Sequence, residues 1–284
     1  MSRYVSCGPH KSRIKEPIMN PSVRENLSNF LQHYAEMNRQ FESLFGYSLF
    51  ITHGTLLGFV RDGGPIAHDD YDFDVGYLSS CSSVDSVRRE YINILESLFK
   101  SGQNISIIRR DGTSRRSYFH WYGHDGIHID VFPTWYEKGR IWSPFKLGSR
   151  CSAEAVKPLR QKYIQGQSVF FPNQPEILLA AIYGEDWQIP DPNHKLSCNE
   201  GEKGILHLEK LKISKQHIRR LLKYRARQSG GRWELECYQK REKNLRRLAR
   251  KERSNKMLQK SLNVYWGMRS KIPFKAQLRR LCGK

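Results

Sequence analysis

The segment HGTLLGFVRDGGPIAHDDYDFDVGYL, residues 53–78, carries four aspartates within six positions. These are Asp69, Asp70, Asp72 and Asp74. Tyr71, Phe73 and Val75 stand between them or directly after them. In a β-strand, the side chains at i and i+2 point to the same face, with Cα atoms about 6.5 Å apart. The alternation therefore predicts a strand over residues 71–78 that buries its aromatic side chains and gathers carboxylates on the opposite face.

Carboxylates gathered on one face repel each other unless a cation or a shared proton lies between them. Mg²⁺ prefers oxygen ligands and is commonly bound by a few carboxylates together with substrate phosphates. A pair of such ions can activate an attacking hydroxyl and stabilise a leaving phosphate. We therefore predict that Asp70, Asp72 and Asp74 bind Mg²⁺, or Mn²⁺ in its place. A solvated acidic edge strand is the alternative, which the regular apolar neighbours disfavour.

A second acidic strand is predicted in IHIDVFP, residues 127–133, where Asp130 stands between Ile129 and Val131. A carboxylate on a neighbouring strand can complete a metal site or act as a general base; the alternative for Asp130 is an acid that caps the turn at Pro133. His128 shares the predicted face of Asp130. The spacing of His120, His124 and His128 allows a zinc site, but polar residues lining a cleft are the favoured interpretation.

The stretch HGTLLG, residues 53–58, predicts a strand that ends at Gly54 and Thr55 and opens a helix. Such a turn offers backbone N–H groups and a hydroxyl to a phosphate. Alone the pair is a weak signal, but it precedes the acidic strand by about fifteen residues, and a third carboxylate follows. This order resembles the nucleotidyltransferase superfamily.

The remaining pattern predicts an α/β or α+β domain built on a small mixed sheet flanked by helices. Helical periodicity and turn signals predict helices over 20–46, 82–102 and 173–187. Strands are predicted over 47–54, 71–78, 104–110, 117–123 and 127–135. The chain thereby divides into a loose N-terminus at 1–19, a catalytic domain at 20–204 and a basic helical extension at 205–284.

The formal net charge of +20 lies in the C-terminal extension. Residues 211–284 hold 24 Lys and Arg against 4 Asp and Glu, whereas the 24 basic and 24 acidic residues of 1–210 cancel. Basic helices of this kind bind an anionic membrane surface, bind nucleic acid or pack as solvated helices on the core. Aromatic residues near the end favour the membrane surface, and nucleic acid is the least favoured partner.

Neither a signal peptide nor a membrane-spanning stretch is predicted. The first residues, MSRYVSCGPHKSRIKEP, lack an apolar region, and no run approaches about 18 consecutive apolar residues. The six cysteines form no CxxC pair, as expected in a reduced compartment. We therefore expect a cytoplasmic location, peripheral on the inner face of the membrane.

Three stretches together resemble the LicD/fukutin-related family of phosphotransferases. They are HGTLLGFVRDGGPIAHDDYDFDVG, the element HIDVFP, and KPLRQKYIQGQSVFFPNQPEILLAAIYGEDWQIPDP at residues 157–192. The resemblance covers roughly residues 48–192. The chain departs from the family's pattern where Ala67 and His68 replace a Pro-Trp pair, and where Asp69 adds an acid.

The resemblance implies transfer of a phosphorylated alcohol, such as ribitol phosphate, glycerol phosphate or phosphocholine, from a CDP-activated donor to a sugar hydroxyl on a glycan or lipid-linked glycan. It implies that Asp72 and Asp74 hold Mg²⁺, with Asp70 beside them, and that Asp130 binds metal or takes the acceptor proton. The residues implied in donor binding are His53, Gly54, Thr55, Arg61 and His68. A nucleotidyltransferase that attaches a nucleoside monophosphate to a small molecule is the first alternative, and a basic nucleic-acid-binding protein is the second.

Overall fold

The computed structural model describes residues 22–66, 72–109, 115, 117–123, 127–144, 147–191, 201–227 and 232–265. The predicted N-terminal segment and the candidate residues His68, Asp69, Asp70 and His124 lie outside the described residues. The described helices are α1 (Leu27–Phe45), α2 (His53–Leu57), α3 (Val84–Lys100), α4 (Pro175–Tyr183), α5 (Gly201–Glu209), α6 (Lys215–Arg225) and α7 (Arg232–Tyr265). A π-helical turn, Gly58–Asp62, continues α2.

The strands form a seven-stranded mixed sheet and a separate hairpin. The sheet strands are β1 (Leu49–Ile51), β2 (Asp74–Leu78), β3 (Ile105–Ser106), β4 (Phe119–Tyr122), β5 (His128–Glu137), β6 (Arg140–Ser143) and β7 (Leu147–Arg150). Their order is β1-β2-β5-β4-β3, with β6 and β7 continuing from β5; among the described strand pairs, β2 with β5 is the one parallel pair. The hairpin consists of β8 (Arg160–Ile164) and β9 (Gln167–Phe171). The prediction of a small mixed sheet flanked by helices is confirmed.

One face of the sheet packs against α1 and α3. Phe30 of α1 stacks on Phe73 with ring centroids 5.7 Å apart, and Tyr91 of α3 stacks on Phe119 at 6.3 Å. Each of these four rings is buried. Because β2, β4 and β5 send alternate side chains to this core, their intervening side chains are left for the opposite face, where the candidate site lies.

Strand β2 begins at Asp74, three residues later than predicted. Among the described residues before Asp74, one further backbone hydrogen bond continues the pairing of β2 with β5: the N–H of Asp130 donates to the carbonyl oxygen of Phe73 at 2.9 Å. Asp72 therefore precedes the strand and is exposed, whereas Asp74 is buried. The predicted strand therefore started too early, and Asp72 is not one of its residues.

The C-terminal helices pack on the body of the molecule at their start. Ile218, Leu221 and Leu222 of α6 are buried, and α6 contacts α3. Glu234, in the first turn of α7, accepts a hydrogen bond from the Ser106 hydroxyl at 2.5 Å. The predicted helical extension is interrupted before Ser214, whose side chain caps α6.

Farther along, α7 has a long basic surface, and Leu248 and Met257 on it are exposed. Among the described residues, no helix has both the length and the apolar character needed to cross a membrane. Binding of the basic extension to an anionic surface stays a prediction.

Candidate active site at the Asp74–Asp130 strand pair

Four polar side chains form a row across the sheet. In the strand register, Asp74 of β2 lies opposite Asp130 of β5, Asp130 lies opposite His120 of β4, and His120 lies opposite Ser106 of β3. Residues that are directly opposite in a ladder share a face of the sheet. All four are buried. Carboxylates that are 56 residues apart in the chain are thus neighbours, on the face away from α1.

The turn at Gly54 and Thr55 is bonded directly to Asp74. The N–H of Gly54 donates to Oδ2 of Asp74 at 3.2 Å, and the N–H of Asp74 donates to Oγ1 of Thr55 at 2.7 Å. These bonds hold the start of α2 against the start of β2. The Thr55 hydroxyl accepts one of them through its oxygen, so its own hydrogen can still be donated to a ligand.

Asp72 lies at the rim of this arrangement. Its side chain borders a shallow pocket together with Val23, Gly54, Thr55, Phe59, Pro65 and Ile66. The pocket therefore lies between the Gly-Thr turn and the acidic segment.

Two of the predicted donor-binding residues have partners within the protein. Arg61 donates twice to the carboxylate of its neighbour Asp62, at 2.8 and 2.9 Å. His53 is buried with its ring 5.2 Å from that of Phe132. Its φ of 45° is in the left-handed region, which is uncommon for a residue with a side chain and concentrates at functional sites. Their binding of a donor stays a prediction.

Burial controls the protonation of the central carboxylate. It raises the pKa of Asp130 to about 6, although the nearby His128, Arg115 and Arg109 act in the opposite direction. At neutral pH the carboxylate is therefore mostly ionised, yet it accepts a proton more readily than an exposed aspartate does. A group with this property suits either a metal ligand or a general base.

The two histidines beside Asp130 are neutral at neutral pH. Burial lowers the pKa of His128 to about 3, with His120 adding to the effect. Burial, helped by Arg115 and Arg109, also holds the pKa of His120 far below its usual value. Nε2 of His120 lies 2.8 Å from Oδ1 of Asp130, but this oxygen has no partner in hydrogen-bond geometry among the described residues. The contact is therefore a close approach of a neutral ring and not an ion pair.

Positive charge lies beyond the histidines. Both Arg109 and Arg115 act electrostatically on Asp130 and on His120. Arg109 also donates to the Tyr118 hydroxyl at 2.7 Å, and the Tyr118 ring stacks on Phe132. The sequence does not show that these arginines act on Asp130, because this depends on how β3, β4 and β5 pair in the sheet.

Replacing His53 with a residue that does not titrate should make the free energy of unfolding less sensitive to acid. Burial lowers the pKa of His53 to about 4, against an ordinary value of 6.5, although a backbone contact with Pro144 opposes this. The unfolded chain thus takes up this proton at a higher pH than the folded chain. The contribution of His53 to the free energy of unfolding is therefore complete above pH 6.5 and decreases as the pH falls towards 4.

His53→Asn removes this titration, and Asn tolerates a positive φ better than most residues. Between pH 7 and pH 5, urea unfolding should show a smaller loss of stability for His53→Asn than for the wild type. His217→Asn is the control, since His217 is a half-buried histidine near the start of α6, where its ring contacts the Ser214 hydroxyl. Equal losses in the wild type and His53→Asn would contradict the prediction.

The part of the chain that holds this arrangement is similar to a known domain. Residues 46–174 match the family model described as LicD/FKTN/FKRP, nucleotidyltransferase domain. The matched range contains Gly54, Asp74 and Asp130, whereas residues 175–192 of the predicted resemblance lie beyond it. A search of curated proteins found no match.

The family consists of phosphotransferases that act on cell-surface glycans, and it is generally metal-dependent. Residues 46–174 are therefore similar to the nucleotidyltransferase domain of the LicD/FKTN/FKRP family.

Proposed function

We propose that this protein transfers a phosphorylated alcohol from a CDP-activated donor to a sugar hydroxyl of a surface polysaccharide or glycolipid. The observation that carries the proposal is the direct register of Asp74 with Asp130 beside the Gly54–Thr55 turn. This geometry supports phosphoryl transfer, because such catalysis depends on positioning and charge neutralisation more than on covalent chemistry.

The carboxylates fit a divalent metal ion with oxygen ligands. Asp74 and Asp130 are adjacent and buried, and Oδ1 of Asp130 lacks a hydrogen-bond partner among the described residues. Buried acceptors are rarely left without a partner, so a cation is a natural one. Asp72, Asp74 and Asp130 would hold Mg²⁺ or Mn²⁺. When bound, the ion supplies positive charge to the phosphates and to the attacking hydroxyl.

The protein's own residues would hold the donor. The Thr55 hydroxyl borders the pocket and retains its hydrogen, and the Gly54 backbone forms the adjacent wall. Arg109 and Arg115 supply positive potential near Asp130. A diphosphate carries negative charge along its length, so these arginines together with a bound cation would neutralise the donor and orient it.

In the proposed reaction, the acceptor hydroxyl oxygen forms a bond to the phosphorus that bears the alcohol. The bond between this phosphorus and the bridging oxygen breaks, and CMP leaves with the electron pair. The proton that the hydroxyl loses is released to water. The products are the phosphodiester of the glycan and CMP.

Product analysis tests the proposal. The full chain is incubated with CDP-ribitol, CDP-glycerol or CDP-choline, a panel of acceptor glycans and Mg²⁺, and nucleotides are separated by anion-exchange chromatography. We expect CMP in the presence of one donor and an acceptor, and none after chelation of the metal with EDTA. Pyrophosphate release from a nucleoside triphosphate without CMP would instead favour nucleotidyl transfer, and turnover of neither class would reject both.

A further inference from the structure

His120, His128 and Asp130 form a compact group beside the carboxylate pair. Each offers one ligand atom, and these atoms all lie within 4.8 Å of one another. Two neighbouring antiparallel strands create the group, since His120 lies opposite Asp130 and His128 precedes Asp130 by two residues on the same face. The two imidazole rings are stacked, with centroids 4.2 Å apart.

The group contains buried polar atoms that hydrogen bonding does not explain. Nδ1 of His120 and Oδ1 of Asp130 have no hydrogen-bond partner among the described residues. Nε2 of His120 nevertheless approaches Oδ1 to 2.8 Å. Neutral imidazoles carry a lone pair at one nitrogen, which a metal ion can use. Two ring nitrogens and a carboxylate oxygen that lie this close together resemble the ligands of a metal site from which the ion is absent.

The ligand types differ from those expected around Mg²⁺. Mg²⁺ favours oxygen ligands, whereas two imidazoles with one carboxylate suit metals of intermediate softness, such as Zn²⁺. Three protein ligands would also leave a coordination position for water or for a substrate oxygen. Positive charge from Arg109 and Arg115 weakens cation binding, so the ionised Asp130 is an essential ligand.

We propose that His120, His128 and Asp130 form a second metal site, which takes a divalent transition metal such as Zn²⁺ and shares Asp130 with the carboxylate site. The sharing of Asp130 links this inference to the proposed function, but binding of Zn²⁺ does not require the transfer reaction. The variants separate the two sites: Asp72→Asn alters only the carboxylate site, His128→Gln alters only the histidine site, and Asp130→Asn alters both.

Metal binding by the full chain tests the site without any substrate. Tag-free protein is stripped with a chelator and dialysed against ZnCl₂ in the presence of excess MgCl₂, and bound zinc is measured by inductively coupled plasma mass spectrometry. We expect one Zn²⁺ per chain. His128→Gln and His120→Gln should each weaken Zn²⁺ binding at least about tenfold, because loss of even a supporting group typically costs about 10- to 100-fold.

The control His217→Gln, at a half-buried position near the start of α6, and the variant Asp72→Asn should retain wild-type Zn²⁺ affinity. Co²⁺ provides a second readout, since nitrogen ligation gives a visible absorption band that His128→Gln should change. Circular dichroism and thermal unfolding of the metal-free variants establish whether they are folded. If His128→Gln does not fold, His120→Gln and the Co²⁺ spectrum of the wild type carry the test.

The site would be rejected if the wild-type chain bound no Zn²⁺, if excess Mg²⁺ displaced it, or if both histidine variants kept wild-type affinity. Release of CMP with Mg²⁺ alone from a chain that binds no Zn²⁺ would reject this site and leave the proposed transferase intact. Binding of Zn²⁺ through the histidines without turnover of any donor would reject the proposed function alone.

Discussion

Asp74→Asn should lower the rate of transfer at least about 100-fold while the protein stays folded. The change removes one negative charge from the carboxylate pair but preserves the size of the side chain and an oxygen that accepts from the Gly54 N–H. Loss of a single preorganised electrostatic group in an active site typically costs about 100- to 1000-fold in rate. The measurement is CMP release at saturating donor, with Mg²⁺ in excess.

Asp85→Asn is the matched control, because Asp85 is an exposed aspartate of α3 that pairs with Arg88 at 3.0 Å. This control should keep the wild-type rate. Thermal unfolding should detect little change in either variant, since burying an amide is no harder than burying a carboxylate. If the folded Asp74→Asn protein kept most of the wild-type activity, Asp74 would not be a ligand of the proposed metal site.

Gly58→Ala should lower the free energy of unfolding by about 1–3 kcal/mol, the usual cost of overpacking a tight site. A Cβ at position 58 would lie 2.4 Å from the backbone carbonyl oxygen of Gly64 and 3.0 Å from the backbone nitrogen of Ile66. These contacts are with backbone atoms, so they cannot be relieved by rotation of a side chain. The turn that leads to the acidic segment must move.

The same displacement should reduce activity, because Pro65 and Ile66 border the pocket that Asp72 and Thr55 share. Gly64→Ala is the matched control in the same turn, since a Cβ there would meet no atom within 4 Å. We expect a change within about 0.5 kcal/mol for this control. Urea unfolding of the two variants, combined with CMP release, checks both effects. Equal stability of the two variants would contradict the close approach at Gly58.

Helix prediction succeeded where the periodicity was regular and the boundaries carried signals. α3 was predicted over 82–102, and the side chain of Ser83 caps it by accepting from the Ser86 N–H. The predicted end of α1 at Gly46 is also confirmed, because Gly46 adopts a left-handed conformation with φ of 71°. The start of α1 was predicted too early: the described helix begins at Leu27, and Asn26 makes no side-chain cap.

Strand prediction was less complete. The hairpin of β8 and β9 was not predicted, because its first strand is largely exposed and lacks apolar alternation over Arg160–Ile164. The late start of β2 was missed because the length of β2 depends on its pairing with β5. The local sequence of β2 does not show how far this pairing extends.

The candidate site was predicted in part. The acidic segment, the Gly-Thr turn and Asp130 were recognised from residue types and their order in the chain. The pairing of Asp130 with His120 was not predicted, because alternating histidines in a sequence are compatible with many strand registers.

The amino-acid sequence alone determined which segments could form helices and strands, the nature of the acidic chemistry and the location of the excess positive charge. Local periodicity and side-chain chemistry are sufficient for these conclusions. Only the tertiary structure decided that Asp74, Asp130 and His120 lie side by side, that the Gly54–Thr55 turn is bonded to Asp74, and that Arg109 and Arg115 act on the same carboxylate. These relations depend on strand register between distant segments, which is selected by the packing of the whole sheet.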